Sequence, residues 1–175
     1  MMPRLFLTLT LLLLFLLEGT ILQVVSPTAW GLPWQAVPRF ALVGAILVSF
    51  FLGRREGLYY GLGIGFLQDI LYGHIIGVYS LTMMVACYFA GLVVLLFQRN
   101  LAVVFVTVCL VLFGHEWLLY SLYRLFSTSP VDVQWVISNQ ILPSVGCNFV
   151  FAVLIYLPLS RLCEAVDLRK SARHE

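Results

Sequence analysis

Long apolar segments, separated only by short polar turns, restrict what this chain can fold into more than any other feature of its sequence. The segment at residues 101–124, LAVVFVTVCLVLFGHEWLLYSLYR, is typical. A helix needs about 20 mostly apolar residues, at about 1.5 Å rise per residue, to cross the hydrocarbon core of a bilayer. Hydrophobic residues make up 62% of the 175 residues and charged residues only 10%, whereas soluble domains carry about 25% charged residues. The sequence therefore predicts an all-α polytopic membrane protein without a sizeable soluble domain.

Six segments are long and apolar enough to be transmembrane helices. They lie at about residues 5–25, 36–53, 57–74, 76–97, 101–124 and 135–160. The connections are short, which favours a single six-helix transmembrane domain over residues 1–160, followed by a basic cytoplasmic tail at 161–175. The first segment is similar to a signal peptide, but its apolar run continues past Glu18 and no small-residue cleavage site follows cleanly. We therefore predict that this segment is an uncleaved span.

The positions of Lys and Arg predict the orientation, because cytoplasmic loops collect these residues. With the N-terminus in the cytoplasm, eight of the ten basic residues fall on the inner side and two on the outer side. The inner residues are Arg4, Arg54, Arg55, Arg99, Arg161, Arg169, Lys170 and Arg173, and the outer residues are Arg39 and Arg124. Six spans then place both termini in the cytoplasm.

Most of the charged and titratable residues within the predicted spans fall in the outer half of the membrane. This outer-half polar cluster consists of Glu18, Arg39, Asp69, His74, His115, Glu116 and Arg124. A charge at the bilayer centre costs about 2.5–3.5 kcal/mol on insertion scales, so such residues usually face the bundle interior and find partners. Three hypotheses stay open: ion pairs of Asp69 or Glu116 with Arg39 or Arg124 that hold the helices in register, a partner-binding site, and a path for protons or a substrate.

The sequence carries no signature of an enzyme, a cofactor site or a metal site. The HEW triplet that begins at His115 lacks the second histidine of a zinc-protease helix, since the residue at that spacing is Leu119. Asp69 is the single aspartate within a span, which excludes an aspartyl dyad. The nearby glycines lie inside a span and so do not form a phosphate-binding loop. We expect a non-enzymatic protein with no cofactor, no metal and no nucleic-acid partner.

A ladder of glycines runs along the third predicted span. Gly57, Gly61 and Gly65 repeat every four residues and form a smooth groove, with Asp69 at its outer end. Small residues let helix backbones approach closely in lipid, so the groove predicts a docking face for another helix. That helix belongs either to this chain or to another protein. The predicted partner-helix groove consists of Gly57, Gly61, Gly65, Phe66, Asp69, Gly73 and Gly77.

The segment GLGIGFLQDILYGHIIGVYSL, with its Gly-Phe-x-x-Asp pattern and the glycines that follow, resembles the MreD family. These are small bacterial inner-membrane proteins of the rod-shape system. The specific part of the resemblance covers residues 57–91, and the chain length, the six spans and the basic tail also fit. The glycine and aspartate motif of the family maps onto Gly61, Gly65, Phe66, Asp69 and Gly77. The resemblance implies a fold similar to the substrate-binding subunit of energy-coupling-factor transporters, and no catalytic residue carries over.

The resemblance implies a non-enzymatic scaffold of the cell-elongation machinery in the bacterial cytoplasmic membrane, which helps to control cell shape and peptidoglycan synthesis. The implied partner is MreC, a single-span protein that would connect the chain to MreB filaments, the RodA polymerase and a penicillin-binding transpeptidase. Membrane lipids surround the bundle. Our hypothesis is that the third span and the outer-half polar cluster form the surface that receives the partner's span. The alternative is a solute-binding membrane subunit of a transporter, with the polar half forming an outward-opening pocket.

Overall fold

A computed structural model describes residues 2–24, 34–73, 75–97, 100–126 and 132–171 of the chain. This part of the chain is helical and contains no strand. The helices are α1 (Met2–Val24), α2 (Phe40–Leu52), α3 (Arg54–Tyr72), α4 (Val78–Leu96), α5 (Leu101–Phe126), α6 (Val133–Val136) and α7 (Leu142–Ser171). A π-helical turn, Ile137–Ile141, joins α6 to α7 without a break. The predicted all-α class is confirmed, and each of the six predicted spans overlaps a helix.

Three of the described helices are long and apolar enough to cross a membrane. They are α4, α5 and the continuous helix Val133–Leu168 that runs from α6 through the π-helical turn into α7. Helix α2 is apolar but has only 13 residues, so it is about 20 Å long at 1.5 Å per residue. That length falls short of the roughly 30 Å hydrocarbon core.

Helix α2 lies at the centre of the bundle. Every residue from Phe40 to Phe50 is buried, and α2 packs against α1, α3, α4, α5 and α7. A helix that is hydrophobic all round is expected to lie in the core of a large protein or in a membrane. The position of α2 therefore makes its first turn a place where backbone N–H groups need partners from other helices.

The start of α2 differs from the predicted start of the second span at residue 36. Residues 34–39 are not helical, and the helix begins at Phe40. Pro38 accounts for the difference, because proline lacks an N–H group and disfavours helical conformation in the residue before it. Residues 34–39 run alongside α7 instead and carry Arg39 into the interior.

The backbone of this non-helical segment is held by the opposite helix. Lipid supplies no hydrogen bonds, so backbone groups at membrane depth need protein partners. The hydrogen bonds are Gln35 N–H to the carbonyl of Asn139 (2.8 Å), Val37 N–H to Ser144 Oγ (2.9 Å), Asn148 Nδ2 to the carbonyl of Val37 (3.0 Å) and Arg39 N–H to Asn148 Oδ1 (2.7 Å). The π-helical turn and two polar side chains of α7 thus fix the position of Arg39.

The last helix extends beyond the predicted end of the sixth span at residue 160. Helix α7 continues to Ser171, and Cys163 and Val166 in this extension are buried against the core. The predicted boundary between the transmembrane domain and the tail therefore does not coincide with a helix end, because apolar residues continue at helical spacing into the basic segment.

Candidate functional site

An ion pair between Arg39 and Glu116 lies at the centre of the polar residues. Arg39 Nε lies 3.0 Å from Glu116 Oε1, and the two side chains are only 8% and 4% exposed. The guanidinium group also lies over the ring of Tyr79, 5.1 Å from its centroid. Because these residues belong to the start of α2, to α5 and to α4, the pair connects three helices.

This ion pair fits the hypothesis that the polar residues hold the helices in register. Two charges removed from water gain little net stability from each other, because their desolvation opposes the attraction. Removing one partner lowers the stability of the protein by about 3–5 kcal/mol, because the other charge is left buried and unpaired. Arg39 and Glu116 therefore need each other, and the pair favours an arrangement of α2 and α5 in which the two side chains meet.

Glu18 supports the start of α2 from the neighbouring helix α1. Its carboxylate accepts hydrogen bonds from the Ala41 N–H (3.1 Å) and from Gln68 Nε2 of α3 (2.5 Å). The first turn of a helix has N–H groups without helical partners and carries the positive end of the helix dipole. Glu18 therefore acts as an N-terminal cap supplied by another helix.

Asp69 of α3 likewise caps the start of α4. Its two carboxylate oxygens accept hydrogen bonds from the backbone N–H groups of Tyr79 and Ser80, each at 2.9 Å, and from the Ser80 hydroxyl group. The predicted ion pair of Asp69 with Arg39 or Arg124 is not found among the described residues, because the backbone of α4 occupies both oxygens. Asp69 thus fixes the register of α3 against α4.

The remaining members of the predicted cluster do not converge on one point. His115 is buried, with Nδ1 3.7 Å from Glu116 Oε1 and Nε2 3.4 Å from Thr82 Oγ1. Arg124 is exposed near the end of α5, where its side chain contacts the ring of Tyr120 at 6.0 Å. His74 lies outside the described residues. Within the predicted cluster, Glu18 and Asp69 cap helices and Glu116 pairs with Arg39, and no three metal-ligating side chains come together in the described part of the chain.

The glycine face of α3 is covered by helices of the same chain. A Cβ atom at Gly65 would lie 2.6 Å from Cα of Ser80, and one at Gly61 would lie 2.8 Å from the carbonyl oxygen of Met83, both on α4. A Cβ atom at Gly57 would overlap a side chain of α2. Such distances are far below normal contact, so only glycine allows these helices to approach so closely. In this structure helices α4 and α2 of the same chain lie against the ladder.

The other residues of the predicted groove lie elsewhere. Phe66 is 52% exposed on the other side of α3. Gly73 follows the last residue of α3, and Gly77 precedes α4 with a φ of 103°, a left-handed conformation that favours glycine. The predicted groove is therefore three separate features: an internal packing face, an exposed aromatic residue and a turn. The prediction extended the four-residue spacing to Gly73 and Gly77, which lie beyond the end of α3.

Several important polar residues were not singled out from the sequence. Gln68, Tyr79, Ser144 and Asn148 all bind the residues described above. Asn148 carried a usable signal, because a lone amide within an apolar span rarely lies there without a partner. Tyr79 carried none, since its backbone N–H group and the face of its ring make the contacts.

The fold and the site define a helical protein in which three of the described helices are long and apolar enough to cross a membrane and in which buried charged side chains connect helices. The family model described as rod shape-determining protein MreD matches residues 3–166. The chain is also 25% identical over 138 residues to the rod shape-determining protein MreD of Bacillus subtilis (strain 168), an alignment that covers 79% of each chain. No solved structure matches the chain significantly. The chain belongs to the MreD family, and neither comparison supports a transporter subunit.

Proposed function

We propose that the chain is a non-enzymatic membrane scaffold of the bacterial cell-elongation machinery and that it binds an MreC-type single-span protein. Membership of a rod shape-determining family supports this proposal. The chain would cross the cytoplasmic membrane six times with both termini inside. It would reach MreB filaments, the RodA polymerase and a penicillin-binding transpeptidase through that partner. The similarity to energy-coupling-factor subunits stays a prediction.

The exposed side of α3 is the surface that we propose for the partner's span. Because α4 and α2 cover the glycine ladder, the opposite side of α3 points away from the bundle. This exposed α3 face consists of Tyr59, Leu62, Gly63, Phe66 and Ile70. Their spacing of three and four residues forms one continuous stripe along the helix. Of the residues in the predicted groove, the proposal therefore retains Phe66 as part of the partner surface. It assigns the glycine ladder to packing within the chain.

The observation that supports this stripe is Gly63 together with its large, exposed apolar neighbours Tyr59 and Phe66. A Cβ atom there would meet nothing within 4 Å, so the glycine leaves an open notch between large apolar side chains. Association of helices in lipid depends on close packing and not on a hydrophobic drive. A notch flanked by Tyr59 and Phe66 allows a second backbone to approach closely and gives aromatic side chains to pack against it.

The test is co-purification of a tagged protein with its MreC-type partner from native membranes. Gly63→Leu fills the notch and is expected to lower the recovered partner at least tenfold. Gly114→Leu and Gly146→Leu are matched controls, because a Cβ atom at either position also meets nothing within 4 Å. Recovery equal to wild type in all three variants would contradict the proposed surface, while the absence of such a partner from wild-type material would contradict the scaffold function itself.

A further inference from the structure

A polar cavity lies beside the Arg39–Glu116 pair, away from the exposed α3 face. Its volume is about 190 Å³, the share of about six water molecules in the liquid. The cavity is bounded by the start of α4, the end of α5 and the π-helical turn. This volume is sufficient for a small polar group.

The floor of the cavity carries one positive and one negative charge. Arg39 uses only Nε to contact Glu116, at 3.0 Å, whereas a guanidinium group has five N–H donors. Glu116 uses Oε1 for both Arg39 and His115, which leaves its second oxygen as an acceptor. A ligand that meets this floor finds donors on one side and a carboxylate oxygen on the other.

The walls favour a cation on the carboxylate side. Tyr79, Tyr120 and Tyr123 all line the cavity, and guanidinium groups already lie over the rings of Tyr79 and Tyr120. Aromatic faces attract cations, more strongly where water is excluded, so the ring of Tyr123 offers a further face to an ammonium group. Two further buried carboxylates, Glu18 and Asp69, cap neighbouring helices. Arg39 is the one buried guanidinium or ammonium group in the described part of this cluster, and it is already paired with Glu116, so a purely anionic ligand would find no second buried cation.

The π-helical turn completes the wall with an amide. Gln140 lines the cavity together with Val136 and Ile141. A π-helical turn is rare and frequently lies at a functional site. Here the turn also releases the Asn139 carbonyl, which accepts a hydrogen bond from Gln35 in the segment that carries Arg39. The same turn therefore shapes the wall of the cavity and helps to position its floor.

We propose that this cavity binds a zwitterionic phosphate–ammonium group, with the phosphate at Arg39 and the ammonium group at Glu116 and the tyrosine rings. Such a ligand matches the balanced charges of the floor, so no net charge is added to a poorly solvated site. A phosphatidylethanolamine headgroup presents this chemistry at the membrane surface, and free phosphoethanolamine presents it in solution. The inference does not depend on the partner surface on α3.

The experiment measures ligand binding to the full chain in nanodiscs by native mass spectrometry. The lipids are phosphatidylethanolamine and phosphatidylglycerol, and the soluble probes are phosphoethanolamine and inorganic phosphate. Gln140→Leu removes a cavity amide and is expected to weaken binding of the zwitterionic ligand about fivefold, the effect of one neutral hydrogen bond. Gln134→Leu is the matched control, because Gln134 is exposed and does not line the cavity.

The proposal expects phosphatidylethanolamine or phosphoethanolamine to bind at least tenfold more tightly than phosphatidylglycerol or inorganic phosphate. Binding of only the lipid identifies the headgroup in the membrane as the ligand, and binding of phosphoethanolamine identifies a soluble one. Equal binding of the anionic probes, equal effects of the two glutamine substitutions, or no binding of either zwitterion would overturn the proposal. None of these results bears on recovery of the single-span partner.

Discussion

Gly65→Ala tests whether the glycine ladder exists for packing α3 against α4. The added Cβ atom would lie 2.6 Å from Cα of Ser80, 2.8 Å from the carbonyl oxygen of Tyr79 and 3.0 Å from the Ser80 nitrogen. All three atoms belong to the backbone, so no rotamer change relieves the overlap. Normal contact is about 3.5–4.0 Å, and α3 has to move away by about 1 Å. Asp69 would move with it, and its hydrogen bonds to α4 would lengthen.

Gly63→Ala is the matched control for this substitution. It lies on the same helix two residues away, and its Cβ atom would meet nothing within 4 Å. Both substitutions gain the same helix propensity of about 1 kcal/mol. The difference between their free energies of unfolding therefore measures the effect of the packing overlap. Overpacking of this kind costs about 1–3 kcal/mol in the free energy of unfolding.

Thermal unfolding of the purified protein in detergent measures that difference. One kcal/mol shifts the Tm of a chain of this size by about 2–4 °C. Gly65→Ala is therefore expected to melt about 2–12 °C below Gly63→Ala. If Gly65→Ala melts at the same temperature or higher, α4 does not approach α3 as closely as described, and the ladder is available to another helix.

Three further predictions address the buried polar groups and the packing of the bundle. Asp69→Ala removes the cap of α4 and is expected to lower stability by about 1–2 kcal/mol, measured as a lower Tm, while Asp132→Ala at an exposed helix start has a smaller effect. Glu116→Gln leaves the buried guanidinium unpaired and is expected to lower the free energy of unfolding by about 3–5 kcal/mol. Glu56→Gln, at a more exposed ion pair, is expected to change the Tm little. A similar fall in Tm in both variants would contradict the role of Glu116 as the partner of a buried charge. Labelling of the folded protein by an apolar maleimide that enters the detergent micelle is expected to reach Cys147, whose side chain faces outward, before either buried cysteine, and the reverse order would contradict the packing of α7.

The helices could be predicted from the sequence because apolar length and period determine them directly. The segment at 34–39 could not, since its hydropathy matches that of a span and its conformation depends on Pro38 and on hydrogen bonds to α7. The glycine spacing predicted a face for close helix packing, and α4 and α2 lie against it in this structure. It did not identify the occupant, because a row of small residues fits any helix that approaches, from this chain or from another.

The roles of the carboxylates depend on contacts that the sequence does not encode locally. The pairing of Arg39 with Glu116 was one of the combinations predicted, since few opposite charges lie at that depth. The caps formed by Glu18 and Asp69 were not predicted, because their acceptors bind backbone N–H groups of other helices. Charge and depth are visible in a sequence, but the location of a helix start relative to a neighbouring side chain is a property of the packed bundle.

Photo-crosslinking in native membranes tests the central proposal, that the exposed face of α3 binds a single-span partner, most directly. A photoreactive residue replaces Phe66 on this face or Leu110 on α5, which are 52% and 67% exposed. We predict a crosslink to a single-span morphogenetic protein from position 66 and none from position 110. A crosslinked partner from position 110 alone, or the same products from both positions, would contradict the account.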